Sequence, residues 1–229
     1  MDKSRRLYRS SFNRFLIRIG LLLLLAVANP CFAGMVWSAR AIDPALIGAL
    51  KSDSKLLDQT LFGDQPEVFT ERLQKGGRVD LSDQRVRDEL AQWAAKRKAE
   101  VSDTEVDLDK AWHGIHFLLT GSVEPNGTLA SKVIMGGENI GPDRGYGPAQ
   151  LLTPAEVKAI AQLLDQTTPE MLRKRFNPKE MTQSGVSPAI IWERDGDEAL
   201  SFVLNYYKKL VSFYKLAAER GQAVIFVLS

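Results

Sequence analysis

The stretch DLDKAWHGIHFLLTG, residues Asp107 to Gly121, decides how the rest of the chain is read, and it holds both histidines, His113 and His116. Its pattern predicts a buried helix. Leu108, Ala111, Trp112, Ile115, Leu118 and Leu119 recur at the helical period and share one broad apolar face. Phe117 lies on the far side, so the helix is expected to be enclosed on more than one side. Asp107 is expected to cap the start, because its carboxylate can accept from the amides of the first turn. Gly121 suits the left-handed position that ends a helix. Asp109, His113 and His116, spaced by four and three residues, then fall together on the flank of the apolar face.

That flank is the candidate chemical centre. Zinc needs three or four ligands, and His113 with His116 supplies two, with Asp109 a possible third and Glu138 or Asp143 a possible fourth. The spacing is HxxH with no glutamate between, so the HExxH motif of metalloproteases is absent. Alternatively, Asp109 could orient His113 as a general base. No GxSxG elbow accompanies it. The plainer reading keeps both imidazoles as half-buried, hydrogen-bonded structural groups beside a core Trp112.

Ahead of this helix, the first 33 residues read as an export signal. Lys3, Arg5, Arg6, Arg9, Arg14 and Arg18 form a basic region, Ile19 to Ala28 an apolar run, and Cys31-Phe32-Ala33 a small-residue cleavage site. The apolar run is too short to cross a bilayer comfortably. Cleavage after Ala33 would release a periplasmic or secreted protein with no stable membrane anchor. The whole chain has 30 Lys+Arg and 28 Asp+Glu; beyond Ala33 these become 24 and 27. Its basic balance thus belongs to the targeting segment, and nucleic-acid binding loses its support. The sole cysteine, Cys31, lies in the same segment, so no disulfide is expected after it.

Val36 to Ile42 has strand character. Asp43-Pro44 opens a helix to about Leu50, and a second helix covers Ser54 to Leu61. A short helix is expected from Glu67 to Lys75, and a longer, highly charged one from Leu81 to Ala99 with Leu90, Trp93 and Ala94 as its thin apolar stripe. Lys96-Arg97-Lys98 reads as the solvated end of that helix.

Beyond Gly121, Glu124-Pro125-Asn126-Gly127 is a turn, and Thr128 to Met135 a short helix. The passage GGENIGPDRGYGP, Gly136 to Pro148, carries five glycines and two prolines and is expected to lack regular structure. It has neither the lysine nor the hydroxyl residue of a P-loop. Two readings remain: a surface connection needing positive φ, or a binding loop contacting its ligand through Glu138, Arg144 and Tyr146.

Thr153-Pro154-Ala155-Glu156 is a capping box opening a helix to about Asp165. Further helices start at Pro169 and Pro178, and Val186 to Glu193 reads as an extended segment. A long amphipathic helix spans about Glu198 to Arg220, and Ala223 to Leu228 a terminal strand. No internal repeat or linker interrupts the chain. One α+β domain follows, with strands from both ends of the mature chain pairing in a sheet packed by helices.

GMVWSARAIDPALI, LFGD, DLDKAWHGIHFLLTG, GYGPAQLLTPAEV and LNYYKKLVSFYKLAAERGQAVIFVLS, in this order from Gly34 to Ser229, resemble the YfbM-like family of bacterial domains. The resemblance implies a single-domain α+β fold with a mixed sheet and surrounding helices. It implies no activity and no catalytic residues. Members commonly begin near the Gly34-Met35 position, so the basic and apolar leader is a departure from the family pattern.

Two function classes stand. One is a non-enzymatic exported binding or interaction protein, taking a small molecule, peptide or protein, with an inhibitor or immunity role included. The other is an envelope hydrolase, with or without metal, using Asp109, His113 and His116. The missing nucleophile and the incomplete ligand set favour the first, and no cofactor is expected.

Overall fold

The C-terminal run AVIFVL forms strand β5 (Ala223–Leu228), the middle strand of a five-stranded sheet. The computed structural model describes residues 35–63, 82–89, 91–92 and 104–229. Strand β1 (Trp37–Ile42) lies beside β5, from Trp37 opposite Leu228 to Ile42 opposite Ala223. Outside β1 runs β2 (Glu105–Asp107); on the other side of β5 come β4 (Ala149–Leu152) and β3 (Glu138–Ile140). The two ends of the domain therefore pair, as the β-branched and aromatic composition of both runs predicts. Among the described residues every pairing is antiparallel, not mixed as the family resemblance implied. A parallel pair would need its second strand to enter from the same end as the first, and no neighbour here does.

Both sheet faces are covered. Ile42, Ile140, Ala149, Leu151, Ala223, Ile225 and Val227 pack against Leu50 of helix α1 (Ile47–Ser52) and against Leu57 and Leu61 of α2 (Ser54–Phe62). Asp43 caps the 3-10 turn leading into α1, and Asp53 caps α2 by accepting from Lys55 and Leu56. The opposite face carries Trp37 and Phe226, with ring centroids 5.3 Å apart.

Helix α3 (Trp112–Thr120) is buried at every residue from Trp112 to Leu119, and Gly121 ends it at φ 71°. It starts later than the sequence pattern predicts. Glu105 to Asp107 is a strand paired to β1, and Asp109–Ala111 is a 3-10 turn whose first residue has φ 47°. Asp107 thus closes an Asx turn, accepting from the Asp109 amide at 2.6 Å, and does not cap the α-helix. A three-residue strand has no periodicity of its own and exists through its partner.

Helix α4 (Leu129–Lys132) follows, capped by Thr128. After β4 comes α5 (Pro154–Gln166), opened by the expected capping box: Thr153 accepts from the Glu156 amide, and Glu156 accepts from Thr153. Helices α6 (Pro169–Arg175) and α7 (Pro178–Gln183) each start on a capped proline. Where an extended segment was expected, Ile191–Asp195 forms helix α8. The β-branched pair Ile190-Ile191 suggested a strand, but Trp192 is fully buried against α3 and fixes a helical turn instead. The long α9 (Asp197–Glu219) buries Leu200, Val203, Tyr207, Leu210 and Tyr214 and packs along α5.

Buried aromatic side chains fasten loops to this frame through their polar tips. Trp37 donates to the Ile134 carbonyl at 2.9 Å, Trp112 to Met35 at 3.1 Å and Trp192 to Val186 at 2.7 Å. Tyr207 donates to Thr167 at 2.7 Å and Tyr214 to Val133 at 2.8 Å. Each ring buries a large apolar body while satisfying a carbonyl that secondary structure leaves unpaired.

All described residues belong to one compact unit, Ala33–Ser229, an α+β domain. Several expectations lie outside the described residues: the leader with Cys31, the helix from Glu67 to Lys75, and Leu90, Trp93, Ala94 and Lys96 to Lys98. Residues 84–89 and 91–92 are helical, and Val86 is buried. Among the described residues no helix is long and apolar enough to cross a membrane.

Candidate functional site

His113 and His116 project from α3 into the protein, with 3% and 0% of their surface exposed. The neighbours of His113 fix its protonation. The Ser187 backbone N–H donates to Nδ1 at 2.9 Å, so Nδ1 carries no proton. Nε2 faces the Val123 carbonyl at 3.0 Å and must therefore donate. The ring is a neutral Nε2–H tautomer, an assignment made from the hydrogen-bond network. Burial pushes its pKa down to about 4, against the raising effect of the Val123 bond. His116 donates from Nε2 to the Glu124 carbonyl at 3.3 Å, and burial lowers its pKa too. Among the described residues its buried Nδ1 has no hydrogen-bond partner.

These rings hold loops. Val123 and Glu124 belong to the turn after α3, and Ser187 precedes a cis proline, Pro188. Trp112 stacks on His113 at 4.7 Å between centroids, and the two imidazoles lie 6.5 Å apart. Asp109 is not on their helix. It begins the 3-10 turn, and its charge, with that of Asp107, helps burial to raise the pKa of Tyr206 on α9. The spacing that placed Asp109 on the histidine flank assumed a continuous helix from Asp107. Among the described residues no three His, Cys, Asp or Glu side chains converge so as to hold a metal ion.

The glycine passage forms a β-hairpin, not a structureless loop. Glu138–Ile140 pairs with Ala149–Leu152, and residues 141–148 link them. All five of its glycines have positive φ, as a connection of this composition requires. A Cβ on Gly137 would lie 2.8 Å from the Leu151 carbonyl oxygen, and one on Gly141, at φ 69°, 2.6 Å from the Leu57 side chain. Asp143 folds the tip by accepting from the amides of Gly145 at 2.7 Å and Gly147 at 3.1 Å.

The three proposed contact groups of this passage separate. Glu138 pairs with Lys51 of α1 at 2.7 Å. The Arg144 side chain, 13% exposed, donates from Nε to Asp58 of α2 at 3.0 Å and also to the Pro142 carbonyl. These two clamp the hairpin to the helices. Tyr146, 51% exposed, overlooks a cleft of about 170 Å³ lined by Pro125, Met135, Pro148, Gln150, Phe226 and Leu228 among others. Among the residues around it, the sequence marks Tyr146 as a contact group and Pro125 only as part of a turn. Gln150, Phe226 and Leu228 are brought together by strand register, which no local pattern encodes.

A second, shallower depression lies at the C-terminal end of α3. There Arg175 donates to the carbonyls of Leu118 at 3.0 Å and Leu119 at 3.4 Å, satisfying groups that the helix end leaves open.

Comparison with known proteins agrees with this geometry. Residues 34–227 match the family described as Domain of unknown function (DUF1877). Protein YfbM of Escherichia coli (strain K12) is 29% identical over 129 residues, which cover 54% of this chain and 75% of that protein. The crystal structure of YfbM from Escherichia coli, a protein of unknown function, superposes with a TM-score of 0.56 at 21% identity. That match covers 85% of this chain and 99% of the other, and it shows the shared fold. The chain belongs to the DUF1877 family, whose function is unknown.

Proposed function

We propose that this is a non-enzymatic, exported binding protein that takes its ligand or partner at the Tyr146 cleft. The carrying observation is the contrast between two places. Both ring nitrogens of His113 are engaged by backbone groups, so the ring has neither a lone pair nor a proton free for a substrate. The cleft is concave, largely apolar and overlooked by a half-exposed aromatic ring. Binding sites commonly combine such a surface with a few polar groups. The envelope hydrolase reading has less support, because Asp109 stands apart and it is the N–H of Ser187 that meets the imidazole. Export rests on the three-part N-terminus.

Native mass spectrometry of the protein purified from its own envelope tests the site. A non-covalent adduct kept by His113→Asn and lost by Tyr146→Asp is the expected result. An adduct lost by His113→Asn but kept by Tyr146→Asp would return the site to the histidine flank.

A further inference from the structure

We infer that the cleft accepts an uncharged group, one ring or one branched side chain in size, carried next to an amide. This is the chemistry of a capped apolar amino-acid residue, and the inference rests on the cleft being the binding site. Four observations carry it.

The first is charge. Among the described residues no Asp, Glu, Lys, Arg or His lines the cleft. A carboxylate or ammonium entering it would lose water and meet no countercharge, which is costly.

The second is size. About 170 Å³ is far below the volume that drug-sized ligands occupy, roughly 300 Å³ and more. It is close to the roughly 150 Å³ apolar cavity that holds a benzene ring. Phe226, Leu228, Pro125 and Tyr146 supply the apolar contacts.

The third is Gln150. Among the described residues its side-chain amide has no hydrogen-bond partner, and its Oε1 is buried. An amide offers both a donor and an acceptor, and its best complement is another amide. Oxygen and nitrogen of the group exchange places on a half-turn, so either end can meet the ligand.

The fourth is the strand register. Val36 and Ser229 exchange both backbone hydrogen bonds, so Ser229, Val227 and Ile225 point their backbone groups to β1. Leu228 and Phe226 then point theirs to β4, and the register Gln150–Phe226 carries Leu228 opposite Pro148. Proline has no N–H to give. The Leu228 carbonyl is thus left without a ladder donor at the edge of the cleft, where a ligand N–H can serve it.

A free small amide and a polypeptide segment both present this chemistry, and one titration distinguishes them. The amide signals of Tyr146, Gly147 and Leu228 in the intact chain are followed by NMR with four probes. They are N-acetylphenylalaninamide, an uncharged pentapeptide with central phenylalanine and both ends capped, benzoate and benzylamine. The inference expects shifts at these positions with the two capped probes and none with the charged pair. Tyr146→Ala and Gln150→Leu should each weaken the capped probes about tenfold, the loss of one such contact. Pentapeptide binding at least about tenfold tighter than the single residue assigns the source to a polypeptide; equal affinity assigns it to a small amide. Benzoate or benzylamine binding as tightly, with the same shifts and the same loss in Tyr146→Ala, overturns the ligand class but leaves the cleft as the site. Absence of shifts with all four, or affinities unchanged in both variants, overturns the cleft itself.

Discussion

The backbone N–H of Ser187 donates to Nδ1 of His113 across 2.9 Å, joining residues 74 positions apart. That bond sets the tautomer, directs Nε2–H to Val123, and so ties the segment before α8 and the turn after α3 to one ring. The imidazole is used as a two-ended connector, a task needing one donor and one acceptor in fixed opposition.

Acid should loosen this connector. The unfolded chain protonates a histidine near 6.5, and folding pushes His113 down to about 4. The folded state therefore loses stability as pH falls from 6.5 towards 4, and loses no more from this group below that. His113 alone accounts for about 3 kcal/mol at the bottom of the window, and the lowered pKa of His116 acts in the same direction. Urea unfolding at pH 7 and pH 4.5 measures it. A His113→Asn protein should show a smaller loss between the two, and an equal loss would contradict the assignment.

At pH 7 the same substitution should itself destabilise. Asparagine cannot span both Val123 and Ser187, and leaving one buried partner unpaired costs about 1–3 kcal/mol. Lys110→Ala, at an exposed position, should stay within about 0.5 kcal/mol. Chemical denaturation compares them. If His113→Asn proves neutral or stabilising, the residue is held there for function.

At Gly114 helix α3 packs closely against Trp192 and Val203. A Cβ added there would lie 2.6 Å from the buried ring of Trp192 and 3.1 Å from Val203. Alanine normally favours a helix over glycine by about 1 kcal/mol, yet overpacking costs about 1–3 kcal/mol. We expect the second effect to win by up to about 2 kcal/mol, and Trp192→Phe to recover part of it in the double variant. A raised melting temperature for Gly114→Ala alone would show that the contact yields freely.

Export predicts a chain that begins at Gly34 in the envelope fraction. N-terminal sequencing of the isolated protein reads this directly. Met1 intact on soluble cytoplasmic protein would refute it.

Much of the frame was legible in the sequence because its signals are local. Thr153 to Glu156, Asp43-Pro44 and Thr168-Pro169 carry their caps within four residues, and the runs of β1 and β5 carry their own composition. The parts that escaped depend on distant partners. Strand β2 is three residues made regular by Ser38 to Arg40, and β3 is held by β4 despite its flanking glycines. Helix α8 forms where Trp192 seats against Gly114. The histidines were found, since two in one helix stand out, but their loop partners at Val123, Glu124 and Ser187 could not be read from spacing. The cleft was marked in advance only by Tyr146. Its floor comes from the register of β4 on β5, while Arg144 is taken up by Asp58 of α2 and Glu138 pairs at the surface with Lys51 of α1.

The central claim is that the histidine pair is structural, and imidazole nitrogen NMR tests it most directly. Nitrogen-15 spectra at pH 6, with and without zinc, distinguish the protonated, neutral and metal-bound forms of each ring. We predict a neutral Nε2–H ring at His113 at pH 6, its Nδ1 showing the shift of a hydrogen-bond acceptor, and neither ring moved by zinc. An imidazolium at His113 at that pH, or a zinc-dependent shift at either ring, would contradict the account.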